Sequence, residues 1–208
     1  FLINFLRKLI IWKVDLATAI SQHLCDYLLS LREKMSVTLI PNGVDLENFS
    51  RQFSYGELMA LEDKLNIKPD DLVIISVSRL VPKNGLDLLI RAMVEINKKN
   101  RTRIYKLILI GEGSEEKKLK TLTASLGLEN NIIFVGSVGH LTLPSYLNIS
   151  DVFVRPSRSE GLGSAFIEAM AAKVPIIGTK VGGIPDFLKD RETGLFCLLT
   201  PEDIASKI

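Results

Sequence analysis

The sequence has little of what most small-site chemistries require. Its two cysteines, Cys25 and Cys197, lie far apart, with no Cys-x-x-Cys pair and no histidine spaced beside them. That pattern argues against a disulfide framework or a zinc site and for two buried thiols in a reducing compartment. The two histidines, His23 and His140, stand in no motif, and neither reads as a metal ligand. Neither sign of charge dominates, and a net charge of +2 is too small to point to nucleic acid. No apolar run spans a membrane: Phe1 to Trp12 is too short and is broken by Arg7 and Lys8. Such a basic amphipathic segment lies on a membrane surface or packs against a part of the protein outside this chain.

Familiar motifs are missing as well. A nicotinamide site needs Gly-x-Gly-x-x-Gly at the first strand–helix turn, and Ser78 to Gly85 has no such spacing. Gly111-Glu112-Gly113 holds two glycines, but Glu116 takes the third position and acids stand where a pyrophosphate belongs. There is no P-loop and no Gly-x-Ser-x-Gly elbow, and Ser157 and Ser159 have no histidine nearby, so acyl transfer has little support.

What remains is an ordinary globular composition of 208 residues, 47% hydrophobic and 24% charged. The first residue is Phe1 rather than Met, and Pro201 to Ile208 stops inside what reads as a helix. The expectation is a chain cut at both ends.

From residue 71 onward, strands and helices alternate. Strands are expected at Leu72 to Val77, Lys106 to Ile110, Ile132 to Val135, Asp151 to Val154, Val174 to Gly178 and Gly194 to Cys197, from short apolar runs bounded by turn residues. Helices fall between them, at Leu86 to Asn97, Glu115 to Ser125, Pro144 to Asn148 and near Asp186 to Leu188. Before them come a strand within Val14 to Ile20, a helix capped by Ser21, a strand at Val37 to Ile40 and a helix over Gly56 to Leu65. The alternation predicts an α/β fold, a doubly wound parallel sheet of about six strands. Pro41-Asn42-Gly43 marks a boundary. Residues 1–40 read as the tail of an amino-terminal domain with its linker, and 41–208 as a nucleotide-binding domain.

Parallel sheets bind ligands beyond the carboxyl ends of their strands. Arg79, Gly111, Gly136 and the run Arg155 to Gly163 all fall there. That run leads into a helix, Ser164 to Ala172, which reads as apolar on nearly every side and therefore buried. Glu168 within it needs a partner, protein or ligand. Glu160 sits in the turn before it. Taken alone, Arg79 is either a salt-bridge residue or a diphosphate ligand, and Glu160 either a solvated acid or a sugar ligand. Together, paired arginine donors suit diphosphate oxygens and carboxylates accept from vicinal hydroxyls, which fits a sugar nucleotide.

At these residues the sequence resembles glycosyltransferase family 4, the retaining transferases of the two-domain GT-B fold. The resemblance runs from about Val37 to Thr200. It rests on Ile40-Pro41-Asn42-Gly43-Val44-Asp45, Ser78-Arg79-Leu80-Val81-Pro82, Gly111-Glu112-Gly113, Pro156 to Ala172, Gly178 to Pro185 and Glu192-Thr193-Gly194-Leu195. It implies that Glu160 meets the donor sugar near the reacting carbon and that Glu168 holds the ribose hydroxyls. Arg79 is implied at the diphosphate, Leu162, Gly163 and Ser164 along sugar and phosphates, Gly111 at the same edge, and Val135 and Gly136 beside the base. The family's lysine before Gly85 is replaced by Asn84, so either Lys83 reaches the diphosphate or Arg79 carries more of the charge.

The implied reaction moves a hexose-type sugar from a UDP- or GDP-sugar to an acceptor hydroxyl with retention, without cofactor or metal. The expected partners are that donor and a glycan or lipid-linked acceptor held by the other domain. The setting is cell-surface polysaccharide or glycolipid synthesis in the cytoplasm or at the inner face of the plasma membrane. The fragment alone is expected to bind donor weakly and not to turn over. Two other readings stand beside this one: a non-catalytic nucleotide-sugar binding module, and a GT-B-fold sugar-nucleotide epimerase.

Overall fold

The computed structural model describes residues 9–99 and 102–208. The expected basic amphipathic segment falls largely on residues 1–8 and so lies outside the described residues. Among the described residues no helix is long and apolar enough to cross a membrane.

Two parallel sheets are present. The smaller pairs β1 (Leu16–Ala19) with β2 (Ser36–Leu39) across helix α1 (Gln22–Leu31). Ser21 caps α1 as expected, its Oγ accepting from the Leu24 N–H at 3.3 Å. Next come α2 (Leu46–Phe49) and α3 (Tyr55–Lys64). In α3, Ser54 and Glu57 form a reciprocal capping box. The short α2 is not among the expected helices; the Asp45 carboxylate caps it by accepting from the Asn48 N–H at 3.1 Å.

The larger sheet has six strands in the order β5-β4-β3-β6-β7-β8. They are β3 (Leu72–Val77), β4 (Tyr105–Ile110), β5 (Ile132–Gly136), β6 (Val152–Arg155), β7 (Ile176–Gly178) and β8 (Leu195–Phe196), all parallel. The expected α/β class and strand number hold, with ends shifted by a residue or two. The last short helix is one 3-10 turn, Ile184–Asp186, earlier than expected because Pro185 favours the first helical positions.

Both faces of the sheet are covered, which is why its central strands read as continuous apolar runs. One face packs against α4 (Leu86–Lys99), α5 (Glu116–Ser125) and α8 (Pro201–Lys207), with Ile74, Leu89, Ile90, Met93 and Leu107 buried between them. The other packs against α3, α6 (Leu143–Asn148) and α7 (Ser164–Ala171) around Ile75, Ile108, Phe153 and Phe166. Each such side chain contributes about 1.5–3 kcal/mol by leaving water. Leu89→Ala would cost about 2–5 kcal/mol through the cavity it leaves.

The chain starts the sheet at β3, adds β4 and β5 on one side, then crosses back to place β6 on the other. The order reverses between β3 and β6, the point at which open α/β sheets form a ligand crevice beyond their strand ends.

Candidate functional site

The loop after β3 brings Arg79 and Lys83 to one wall of that crevice. Both are exposed, and neither side chain has a hydrogen-bond or ion-pair partner among the described residues. Asn84, which stands beside them, behaves differently. It is 3% exposed, and its Nδ2 donates to the Arg79 carbonyl at 2.6 Å, tightening the loop. Asn84 is therefore a buried strut, and the exposed cations of this loop are Arg79 and Lys83. The loop then passes against the next wall at Gly85. There φ is +68°, and any side chain would run into the Pro156 carbonyl.

The loop after β6 forms the opposite wall. Glu160, read alone, could have been a solvated loop acid. It is not: its Oε2 accepts from Arg155 Nη2 at 2.6 Å and its Oε1 from the Gly161 N–H at 2.9 Å. Leu162 is buried, Gly163 begins the helix with φ +94°, and Ser164 opens α7 toward the crevice. Asn42 Nδ2 approaches Ser164 Oγ at 3.5 Å, bringing the Pro41–Gly43 turn to the same place.

Helix α7 corrects the expectation of a helix buried on all sides. Only Phe166 and Ala169 in it are fully buried. Its remaining apolar residues are half-covered, because α7 packs one side onto a face of the sheet and turns its other side away from it. Glu168 is half-buried there, with its Oε1 3.7 Å from His140 Nε2. That is an ion-pair distance, too long for a hydrogen bond. Burial pushes the Glu168 pKa above its ordinary value, against the opposing charges of His140 and Arg155. His140 is held edge-on against Phe49, ring centroids 4.8 Å apart, and Asn48 Nδ2 donates to its carbonyl at 3.1 Å.

Gly111 follows β4 and backs onto the Ser78 carbonyl, at the root of the Arg79 loop. Val135 and Gly136 end β5 at the far side, where Glu112 Oε1 accepts from the Ser137 N–H at 3.4 Å. All of the expected residues thus share the carboxyl edge of one sheet. Arg79, Lys83, Glu160 and Gly163 flank the crevice itself; Val135 and Gly136 lie two strands away, beyond β4.

Three residues of the site were missed by motif reasoning. Arg155 carries a signal that could have been read, a cation closing the apolar strand Val152–Arg155. His140 has no local signal; only the fold brings it to Glu168. Arg158 grips the opposite loop. Its guanidinium forms a two-toothed bond to Asp87 at 2.8 and 2.8 Å, it reaches the Pro82 carbonyl at 2.6 Å, and its N–H meets the Lys83 carbonyl at 2.7 Å. Burial opposes the ionisation of Asp87, but the Arg158 contacts outweigh it and hold its pKa below the ordinary value.

A cavity of about 640 Å³ opens at the opposite edge of the sheet, lined by Lys68, Asp71, Leu72, Thr102 and Asp151 among others. Two of its three acids already have structural work. Asp71 accepts from the Lys68 N–H at 2.9 Å, and Asp151 from the Val73 N–H at 2.7 Å. The chemistry-bearing groups converge at the carboxyl edge, not there.

This fold is an α/β domain of the kind that forms half of a GT-B enzyme. Residues 60–208 match the family described as "Glycosyl transferases group 1", and the chain belongs to that family. It is 32% identical over 162 residues to a GDP-mannose-dependent alpha-(1-6)-phosphatidylinositol monomannoside mannosyltransferase of Mycolicibacterium smegmatis, covering 74% of this chain and 41% of that protein. It superposes on sucrose-phosphate synthase from Thermosynechococcus elongatus with a TM-score of 0.85 at 26% identity, covering 98% of this chain and 50% of the other. It superposes on HepE from Anabaena, solved in complex with UDP-glucose, with a TM-score of 0.82 at 23% identity, covering 93% and 52%. The chain therefore spans about half the length of the proteins it matches.

Proposed function

We propose that this chain is the donor-binding half of a hexosyltransferase that moves a sugar from a UDP- or GDP-sugar to an acceptor hydroxyl with retention. The observation that carries this reading is the pairing of walls across the β3–β6 crevice. Arg79 and Lys83, unpaired among the described residues, follow β3, while Glu160, held by Arg155, and Glu168, half-buried near His140, follow the adjacent strand β6. A nucleotide sugar has matching parts. Its diphosphate suits the cations and the N–H groups that open α7. Its ribose hydroxyls suit Glu168, and its sugar suits Glu160. When the bond from the anomeric carbon to the diphosphate breaks, negative charge grows on the departing oxygens. Arg79, Lys83 and the α7 N–H groups stabilise that charge, in place of a metal ion. Val135 and Gly136, at the end of β5, would meet the base.

Residues 1–40 in this reading are the tail of the acceptor-binding domain. That domain supplies a glycan or lipid-linked acceptor, at the cytoplasmic face of a membrane. The mannosyltransferase relative, which acts on a phosphatidylinositol monomannoside by its name, supports a lipid-linked acceptor. The chain alone binds donor and does not turn over. Calorimetry with UDP, GDP and ADP sugars, on the wild type and Glu168→Ala, tests the reading. Binding of one nucleotide sugar, weakened about tenfold or more by the substitution, is expected for a lost charged hydrogen bond. Unchanged binding in Glu168→Ala overturns the ribose assignment, and turnover by residues 1–208 alone overturns the division of labour.

A further inference from the structure

We propose that Arg155 is a positioning residue that holds the Glu160 carboxylate in the orientation in which it meets the donor sugar. This rests on the functional reading above and assigns a role to a side chain that does not itself face the crevice.

Arg155 is 5% exposed, at the last position of β6. A guanidinium so placed is costly unless its donors are met. Three directions are met. Nη2 donates to Glu160 Oε2 at 2.6 Å, Nη1 to the Val77 carbonyl at 3.2 Å and Nε to Ser157 Oγ at 3.2 Å. Its flat face lies 4.7 Å from the centre of the Phe166 ring. The guanidinium is thus fixed to the end of β3, to its own turn and to the first turn of α7. It then presents one nitrogen to Glu160. Gly161 donates to the other carboxylate oxygen at 2.9 Å, so Glu160 is tethered from two sides.

The neighbouring backbone is shaped around the pair. A Cβ at Gly163 would lie 3.2 Å from Arg155 Nη2 and 3.4 Å from Glu160 Cγ, tighter than ordinary contact. Gly163 leaves that space open and takes φ +94°, from which α7 starts. Phe166 beneath Arg155 and Glu168 two residues on ride on the same short helix. One buried cation therefore relates both carboxylates of the site.

Stability alone does not call for this arrangement. Buried ion pairs can often be replaced by packed apolar side chains with no loss of stability. A carboxylate that must wait in one orientation for a reacting sugar does call for it, because a group held in place beforehand loses no freedom when the substrate arrives. Arg155 acts through Glu160, which predicts a specific failure of additivity.

The test is a double-mutant cycle in the full-length protein, using Arg155→Lys, Arg155→Met, Glu160→Gln and the combined variants. Thermal midpoint, calorimetric donor affinity, kcat and donor KM are the readouts. Lysine keeps the charge but cannot hold the same fork. Arg155→Lys is expected to lower kcat about tenfold or more while donor KM stays within about threefold, the pattern of a contact made only in the transition state. In the Glu160→Gln background the same change is expected to cost less than about twofold, since its target is already gone. An equal loss in both backgrounds overturns the proposal, as does unchanged kcat in a folded Arg155→Lys variant. If Arg155→Met fails to fold, Arg155→Lys carries the cycle alone. If the wild type turns over no nucleotide sugar, the functional reading fails separately. The pair is then read from the Arg155 Nη–H resonances of the chain, since Nη2 is the nitrogen that donates to Glu160. A resonance moved by Glu160→Gln supports the pairing, and an unmoved one overturns it.

Discussion

The two walls of the crevice are built on opposite plans. The Arg155–Gly163 wall is pinned: Glu160 has both oxygens engaged, and its guanidinium partner is buried. The Arg79–Lys83 wall is pinned only in its backbone, by Asn84 from within and by Arg158 from across the crevice, while its cationic side chains stay free. A reacting sugar needs an acceptor at a fixed place, because a small displacement of a catalytic group is expensive. A diphosphate tolerates more, because it carries charge over many oxygens and a flexible lysine or arginine can close on it. On the proposed reading, the contrast is between a wall fixed beforehand at the reacting sugar and one left adaptable for the diphosphate.

The largest blow to that arrangement would fall where the walls touch. Gly85→Ala puts a side chain into the Pro156 carbonyl at a positive φ. It is expected to destabilise the chain by about 2–4 kcal/mol. A thermal scan reads this, and an unaltered midpoint would mean that the walls do not meet as described. Next in size is Glu160→Gln in the full-length protein. Loss of about a hundredfold in kcat is expected from removing one preorganised electrostatic contact, together with a lowered midpoint, because the buried Arg155 guanidinium loses its counter-ion. A variant that keeps wild-type turnover would take Glu160 out of the chemistry. On the free wall, Arg79→Ala and Lys83→Ala should each weaken nucleotide-sugar binding about tenfold and leave the midpoint alone, since each removes a charged contact to ligand and none to protein. A shifted midpoint would show that these side chains are structural after all.

The smallest effect is in pH. Burial holds the Glu168 pKa above the usual 4.5. Its ionised form is therefore a cost to the fold: the relative stability it contributes is full below the ordinary value and lost as pH rises through the raised one. Donor binding runs the other way, since it needs the carboxylate, and affinity should fall as pH drops through the raised pKa. Calorimetry across this range should show a slope of a few fold for the wild type and a flat line for Glu168→Gln. A slope that survives the substitution would point to another group.

Much of the site was legible early because its signals are short-range. The turn residues Pro41-Asn42-Gly43, the apolar runs and the two glutamates each declare themselves within a few positions. Helix α7 shows the limit. Its apolar composition is the same whether it is enclosed on all sides or packed on one side only, and only the folded structure shows that one side is left half-exposed. Asn84 shows another. The resemblance implies a lysine at this position, but the amide found there turns inward and bonds the Arg79 carbonyl, and only the structure shows that it is buried.

By itself, then, the sequence determined the alternation of strands and helices, the parallel sheet and the gathering of polar turns at one edge. Periodicity and turn chemistry act over a few residues and survive in any context. Only the tertiary structure decided that β6 lies beside β3, that Arg155 buries itself against Glu160, and that His140 comes within 3.7 Å of Glu168. Those pairings join residues distant in the chain or facing inward, and they form because a buried charge is stable only where the packed fold supplies its partner.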